Sequence, residues 1–148
     1  MPSLLEGVQV LAMEAGATDV RARRRRTVLV ADDDADVRAA LAEALADEGW
    51  DVHEAENGRE ALERIEAGAY DVVLLDHRMP EMTGGDVCRE LRARGRGVRV
   101  VMLTAAAAVR DLAAEVGADA WLGKPYGLDE LFDVLERASD GPSGRAAG

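Results

Sequence analysis

Three aspartates, a threonine and a lysine in this chain stand where apolar runs end: Asp32 and Asp33 in "VLVADDD", Asp76 in "LLDHRMPEMTGG", Thr104 in "VVMLTA", Lys124 in "GADAWLGKP". Brought together, three carboxylates repel, and each tends to keep a proton unless a cation sits among them. Mg²⁺ fits such a set, because it takes oxygen ligands octahedrally, usually from a few carboxylates, with water and phosphate oxygens in the remaining positions. His53 and His77 are too few and too scattered for a zinc site. A carboxylate beside Mg²⁺, a hydroxyl and an ammonium point to phosphoryl transfer. In that chemistry Asp76 attacks phosphorus, Lys124 neutralises oxygens and Thr104 donates a hydrogen bond. Asp76 therefore closes an apolar strand because a nucleophile must leave the sheet where the donors are.

The elements that must position these groups alternate. Thr27–Ala31 predicts a strand, and Val37, Ala40, Leu41, Ala44 and Leu45 then share one face at the helical period. Val52–Ala55 predicts a second strand, left through Asn57-Gly58 toward a helix bearing Ala61, Leu62 and Ile65. Val72–Asp76 with Val87, Cys88 and Leu91 makes a third unit, and Val98–Thr104 with Ala105, Ala108, Val109, Leu112, Ala113 and Val116 a fourth. Ala120–Leu122 with Leu128, Leu131, Phe132 and Leu135 makes a fifth. Parallel strands need crossover helices and cover on both faces, so this pattern predicts an α/β fold with a parallel sheet. In such sheets sites form at the carboxyl ends of the strands, which is where all five candidate residues fall.

Bulk properties narrow the function class. The 148 residues suit one core. The single cysteine, Cys88, can form no internal disulfide, which favours a reducing, cytoplasmic setting. No run approaches the roughly 18 apolar residues of a membrane span, and Glu6 and Glu14 interrupt any signal-peptide core, so neither membrane nor export is expected. Net charge is −11, yet "RARRRR" at 21–26 carries five of the eighteen basic groups. Residues 27–138 hold 12 Lys+Arg against 25 Asp+Glu, a net −13, which makes nucleic acid an unexpected partner for that part. Residues 1–26 are expected to be an N-terminal extension, either a flexible one or a docking helix with a basic arm, and 139–148 a disordered tail.

"VLVADDD", "DVVLLDHRMPEMTG", "VVMLTA" and "GADAWLGKP", in that order over residues 27–138, resemble the receiver domain of two-component response regulators. The resemblance implies a doubly wound, flavodoxin-like (βα)5 receiver fold, its five-stranded sheet in the order 2-1-3-4-5. Asp76 would be the phosphoacceptor, fed by a histidine kinase or a histidine phosphotransfer protein. Asp32 and Asp33 would be the acidic pair for Mg²⁺, with Asp76 and the backbone carbonyl of Arg78 as further ligands. Thr104 and Lys124 would bind the phosphoryl group, and the Lys124–Pro125 bond would be cis. Trp121 replaces the usual Tyr or Phe of the switch, as a moving group or as a fixed anchor in the partner surface. Such a protein assists its own phosphorylation and dephosphorylation and is not a turnover enzyme. With no room for an output domain after residue 138, a stand-alone regulator is expected, one that binds a downstream protein target or relays the phosphate.

Other uses of the same residues weigh against this. Asp34 or Asp36 is expected to cap a helix, a use that needs no metal. His77 is expected in packing or display, and Trp50 in packing. Arg78 is expected to shield the acyl phosphate or pair with Glu81, while Ala106 offers no group to orient attacking water. The interval from Thr104 to Lys124 is slightly tighter than the family pattern and opens on "AAAA", which puts family-typical dimerisation in doubt. "VLVADDDA" also matches the start of haloacid-dehalogenase phosphatases, with Asp32 as nucleophile and Asp34 as acid. That family then wants an acidic pair on a strand, whereas Asp129-Glu130 lies in a helical pattern. The remaining alternative is a receiver-like binding module that works without phosphorylation.

Overall fold

The computed structural model describes residues 25–105 and 109–140. Among the described residues five parallel strands alternate with five helices: β1 (Thr27–Ala31), α1 (Ala35–Asp47), β2 (Asp51–Ala55), α2 (Gly58–Ala67) and β3 (Val72–Asp76), then α3 (Gly84–Ala93), β4 (Val100–Ala105), α4 (Val109–Val116), β5 (Ala120–Lys124) and α5 (Leu128–Asp140). The strands form one sheet in the order β2-β1-β3-β4-β5, the expected doubly wound arrangement. The features expected of residues 1–24, 106–108 and 141–148, including the proposed N-terminal helix and the role of Ala106, lie outside the described residues.

Alternate residues of each central strand enter opposite cores, because successive side chains point to opposite faces. Leu29, Val73, Leu75 and Met102 pack with Ile65, Leu91 and Val116 beneath α2, α3 and α4. Val28, Val30, Leu74 and Leu103 pack with Leu41, Leu45, Leu131 and Leu135 beneath α1 and α5. Every residue of β3 is buried, which is why its code is an unbroken apolar run that stops at the carboxylate. Trp50 is buried in the second core as expected, with the Arg26 guanidinium 5.9 Å from its ring centroid.

Four local expectations need correction. β4 begins at Val100, not Val98, because the Val98 carbonyl accepts from Arg92 Nη1 and is drawn off the sheet. β5 continues past Leu122 to Lys124, paired with Ala105 of β4. Val37 and Leu128, expected on apolar helix faces, are 38% and 50% exposed. Both occupy first turns of helices that start above the strand ends, where no sheet lies beneath them. α5 also runs to Asp140, held there by Arg26, which donates to Ser139 Oγ at 2.9 Å and pairs with Glu136 and Asp140. Among the described residues no helix is long and apolar enough to cross a membrane.

Candidate functional site

Because all strands run one way, the residues that follow β1, end β3 and β4 and close β5 arrive at one rim. β1 delivers Asp32, whose N–H donates to the Ala55 carbonyl of β2 at 3.1 Å. Asp32 Oδ1 accepts from the Asp34 N–H at 2.9 Å, a local turn that aims the carboxyl inward. Asp34 then caps α1, accepting from Asp36 N at 3.0 Å and Val37 N at 3.2 Å. The acid that a phosphatase reading requires is thereby occupied as a helix cap, the structural use expected of it.

Asp76 ends β3 opposite Leu103, and the next N–H, of His77, donates to the Leu103 carbonyl at 2.8 Å. The chain then turns tightly into α3. Met82 N–H donates to the Pro80 carbonyl at 2.6 Å across Glu81, whose φ of 66° is the left-handed backbone of a γ-turn. Thr83 caps α3 in a reciprocal box with Asp86, and that N–H from Thr83 is the main reason the Asp86 carboxyl titrates below its ordinary range. A Cβ on Gly84 would lie 2.6 Å from the Asp76 carbonyl oxygen, so only glycine lets α3 begin against the end of β3.

The expected residues converge. One carboxylate oxygen each from Asp32, Asp33 and Asp76 lies within 4.8 Å of the others. Asp32 is 2% and Asp76 4% exposed, the two buried acidic residues among the described residues. Lys124 Nζ donates to Asp76 Oδ1 at 2.9 Å. Asp76, His77, Arg78, Thr104, Ala105 and Lys124 line a cleft of about 290 Å³ beside the cluster. The Lys124–Pro125 peptide bond is cis. Arg78 and Glu81 form no ion pair among the described residues, so the cleft is where Arg78 is placed. Trp121 is 41% exposed on the edge strand β5, opposite Met102, and does not line the cleft.

Electrostatics mark Asp32 as the uncomfortable member. Burial raises its pKa most, the charges of Asp76 and Asp33 add to this, and the Asp34 N–H and Lys124 oppose it. Its Oδ2 atom is buried with no hydrogen-bond partner. A buried oxygen without a donor costs free energy unless something cationic satisfies it. A carboxylate with an orphaned oxygen, clustered with two more carboxylates, fits a hard divalent cation, with Asp32, Asp33 and Asp76 able to hold it.

Two neighbours of the site were not expected. Arg38 Nη1 donates to the Asp32 carbonyl at 2.7 Å and its Nε to Glu54 at 3.1 Å, fixing the acidic turn from behind. Tyr126 is partly buried, its pKa raised by burial and then by the charges of Asp32 and Asp76. The sequence signal for Tyr126 was its position just past the Lys-Pro pair. For Arg38 it was a long cation one residue after an apolar position that the rim leaves exposed.

The model of the response regulator receiver domain family matches residues 28–136. Response regulator MprA of Mycolicibacterium vanbaalenii is 42% identical over 107 residues, which are 71% of this chain and 46% of that protein. The chain thus spans about half the length of the curated relatives it matches. Among solved structures, the receiver domain of the Francisella response regulator 1452 superposes with a TM-score of 0.74 at 30% identity, covering 78% of this chain and 97% of that one. Response regulator protein TrrA of Thermotoga maritima, solved in complex with Mg²⁺-BeF, gives 0.70 at 35% identity, covering 76% and 98%.

Proposed function

The chain belongs to the response regulator receiver domain family, and from that we propose that Asp76 accepts a phosphoryl group from a histidine kinase or a histidine phosphotransfer protein. The observation that carries this is the pairing of Asp76 Oδ1 with Lys124 Nζ at 2.9 Å next to an orphaned Asp32 oxygen. The acceptor carboxylate has a cation on Oδ1 and shares with Asp32 and Asp33 a carboxylate cluster that favours a second.

The Asp76 oxygen forms a bond to phosphorus as the P–N bond of a phosphohistidine breaks, the electron pair leaving with the imidazole nitrogen. Lys124 holds Asp76 in place before the step and meets a phosphoryl oxygen after it. Thr104, on the cleft wall one residue before the partner of Lys124, donates its hydroxyl to another. Asp32, Asp33, Asp76 and the Arg78 carbonyl would hold Mg²⁺, which would supply positive charge toward the transferring group and relieve the carboxylates' repulsion. The relative solved with Mg²⁺-BeF supports this choice of ion. The added charge then biases a two-state equilibrium of the receiver, read by a downstream protein or passed on as phosphate.

Incubation with Mg²⁺ and acetyl phosphate, followed by mass spectrometric mapping, tests the proposal. One phosphate is expected on Asp76 in the wild type, and none in Asp76→Asn or with excess chelator. Phosphate on another residue, or undiminished labelling of Asp76→Asn, overturns it.

A further inference from the structure

The residue after the proposed acceptor carries an interaction that the reading above does not use. His77 Nδ1 accepts from the Gly85 N–H at 3.2 Å, in the first turn of α3. An accepting Nδ1 places the ring proton on Nε2. The contact is built for closeness: a Cβ on Gly85 would lie 3.1 Å from His77 Cε1 and 3.3 Å from Nδ1. The same residue is tied through its backbone, its carbonyl accepting from Gly84 N–H and Met79 N–H, both at 3.0 Å. His77 therefore clamps the short path from Asp76 through Arg78 to α3 at side chain and main chain alike.

We propose that His77 is a positioning residue for the metal-binding loop, its Nδ1···H–N bond to Gly85 holding the Asp76–Arg78 backbone where the carboxylate and the Arg78 carbonyl can share one cation. The inference rests on the metal reading given above. The imidazole's Nδ1 is taken by the Gly85 N–H, so His77 acts through the segment that carries the ligands, as an outer partner fixes a ligand, and loss of such partners costs about 10- to 100-fold in metal affinity. The glycine pair has a matching purpose: Gly84 admits the Asp76 carbonyl and Gly85 admits the imidazole.

The test is a Mg²⁺ titration of the unphosphorylated protein followed by amide chemical shifts, with phosphorylation by acetyl phosphate measured in parallel. His77→Ala is expected to weaken Mg²⁺ binding about tenfold and to raise the Mg²⁺ requirement of phosphorylation equally, while the rate at saturating Mg²⁺ changes little. His77→Asn, whose side-chain oxygen can accept from Gly85, is expected to recover most of the affinity. Gly85→Ala, which pushes on the imidazole, is expected to weaken Mg²⁺ binding in the wild type but add nothing in the His77→Ala background. Full Mg²⁺ affinity in His77→Ala, or additive effects of the two substitutions, overturns the inference. A loss of maximal rate at unchanged Mg²⁺ requirement also overturns it, because that marks a folding defect or a part in the transfer step itself. If the wild type itself neither binds Mg²⁺ nor is phosphorylated on Asp76, the functional reading fails instead.

Discussion

The two rims of the sheet carry the same kinds of groups and treat them in opposite ways. At the rim where the strands begin, Asp71 accepts from the Thr27 N–H at 2.8 Å, and Asp119 accepts from the Val100 N–H at 2.8 Å and from Arg92 at 3.0 Å. The Arg92 guanidinium also donates to the carbonyls of Gly117, Arg96 and Val98, joining the α3–β4 and α4–β5 connections with one planar group. At the rim where the strands end, three carboxylates crowd together, one oxygen has no donor, and a non-glycine residue takes a left-handed φ. One rim uses charge to close the fold; the other holds charge in an arrangement that folding alone does not satisfy. Unsatisfied groups of this sort persist where a ligand completes them.

The largest effect that could break this division is at the satisfied rim. Arg92→Met removes one partner of a largely buried pair and leaves Asp119 and three carbonyls short of a donor. It is expected to destabilise the protein by about 3 kcal/mol in urea unfolding. Mg²⁺ affinity of the folded fraction should stay within about twofold, since distant sites act independently. A large drop in Mg²⁺ affinity would show that the two rims are not separate.

The opposite sign is expected across the sheet. Asp32→Asn removes a charge from a repelling cluster and puts an amide donor where the orphaned oxygen stands. Stability without metal at neutral pH should rise by on the order of 1 kcal/mol, a few degrees in Tm, while the stabilisation by Mg²⁺ is lost. Because burial raises the Asp32 pKa in the folded state, its ionised form costs stability at every pH above that folded value. The cost fades as pH falls through the folded pKa toward the ordinary aspartate value of 3.8, below which both states are protonated. The advantage of the Asn variant should therefore shrink in acid, and thermal melts across pH would expose a gain that does not.

How much of this was legible in the sequence follows the same division. Val72–Asp76 could be read directly, because a strand buried on both faces writes an uninterrupted apolar run and its last residue must lie at the rim. The convergence of Asp32, Asp33, Asp76, Thr104 and Lys124 followed from strand direction alone. The start of β4 could not be read, since Val98 belongs to the apolar pattern but its carbonyl is claimed by an arginine six residues earlier. Nor could the exposure of Val37 and Leu128, because helical periodicity records which face is apolar and not where the sheet beneath it stops. Arg38 and the imidazole of His77 reach the site by side chains folding back within one β–α turn, and Tyr126 through its burial near Asp32 and Asp76, none of which apolar periodicity encodes.

The smallest expected effect on stability belongs to Arg78, and it sharpens the comparison most. Arg78 is an exposed residue at the cleft, so Arg78→Ala should change unfolding free energy by no more than about 0.5 kcal/mol, the usual range for surface substitutions. At the satisfied rim an arginine is worth stability; at the other rim it should be worth only lifetime. If the guanidinium covers the phosphoryl group on Asp76, its removal admits water. The phosphate should then be lost roughly two- to tenfold faster, equivalent to one modest net hydrogen bond. Following the decay of phosphorylated wild type and Arg78→Ala after removal of acetyl phosphate decides the matter. Equal lifetimes would leave Lys124 and Thr104 as the groups that guard the acyl phosphate, and the second cation of the cleft without a part in the reaction.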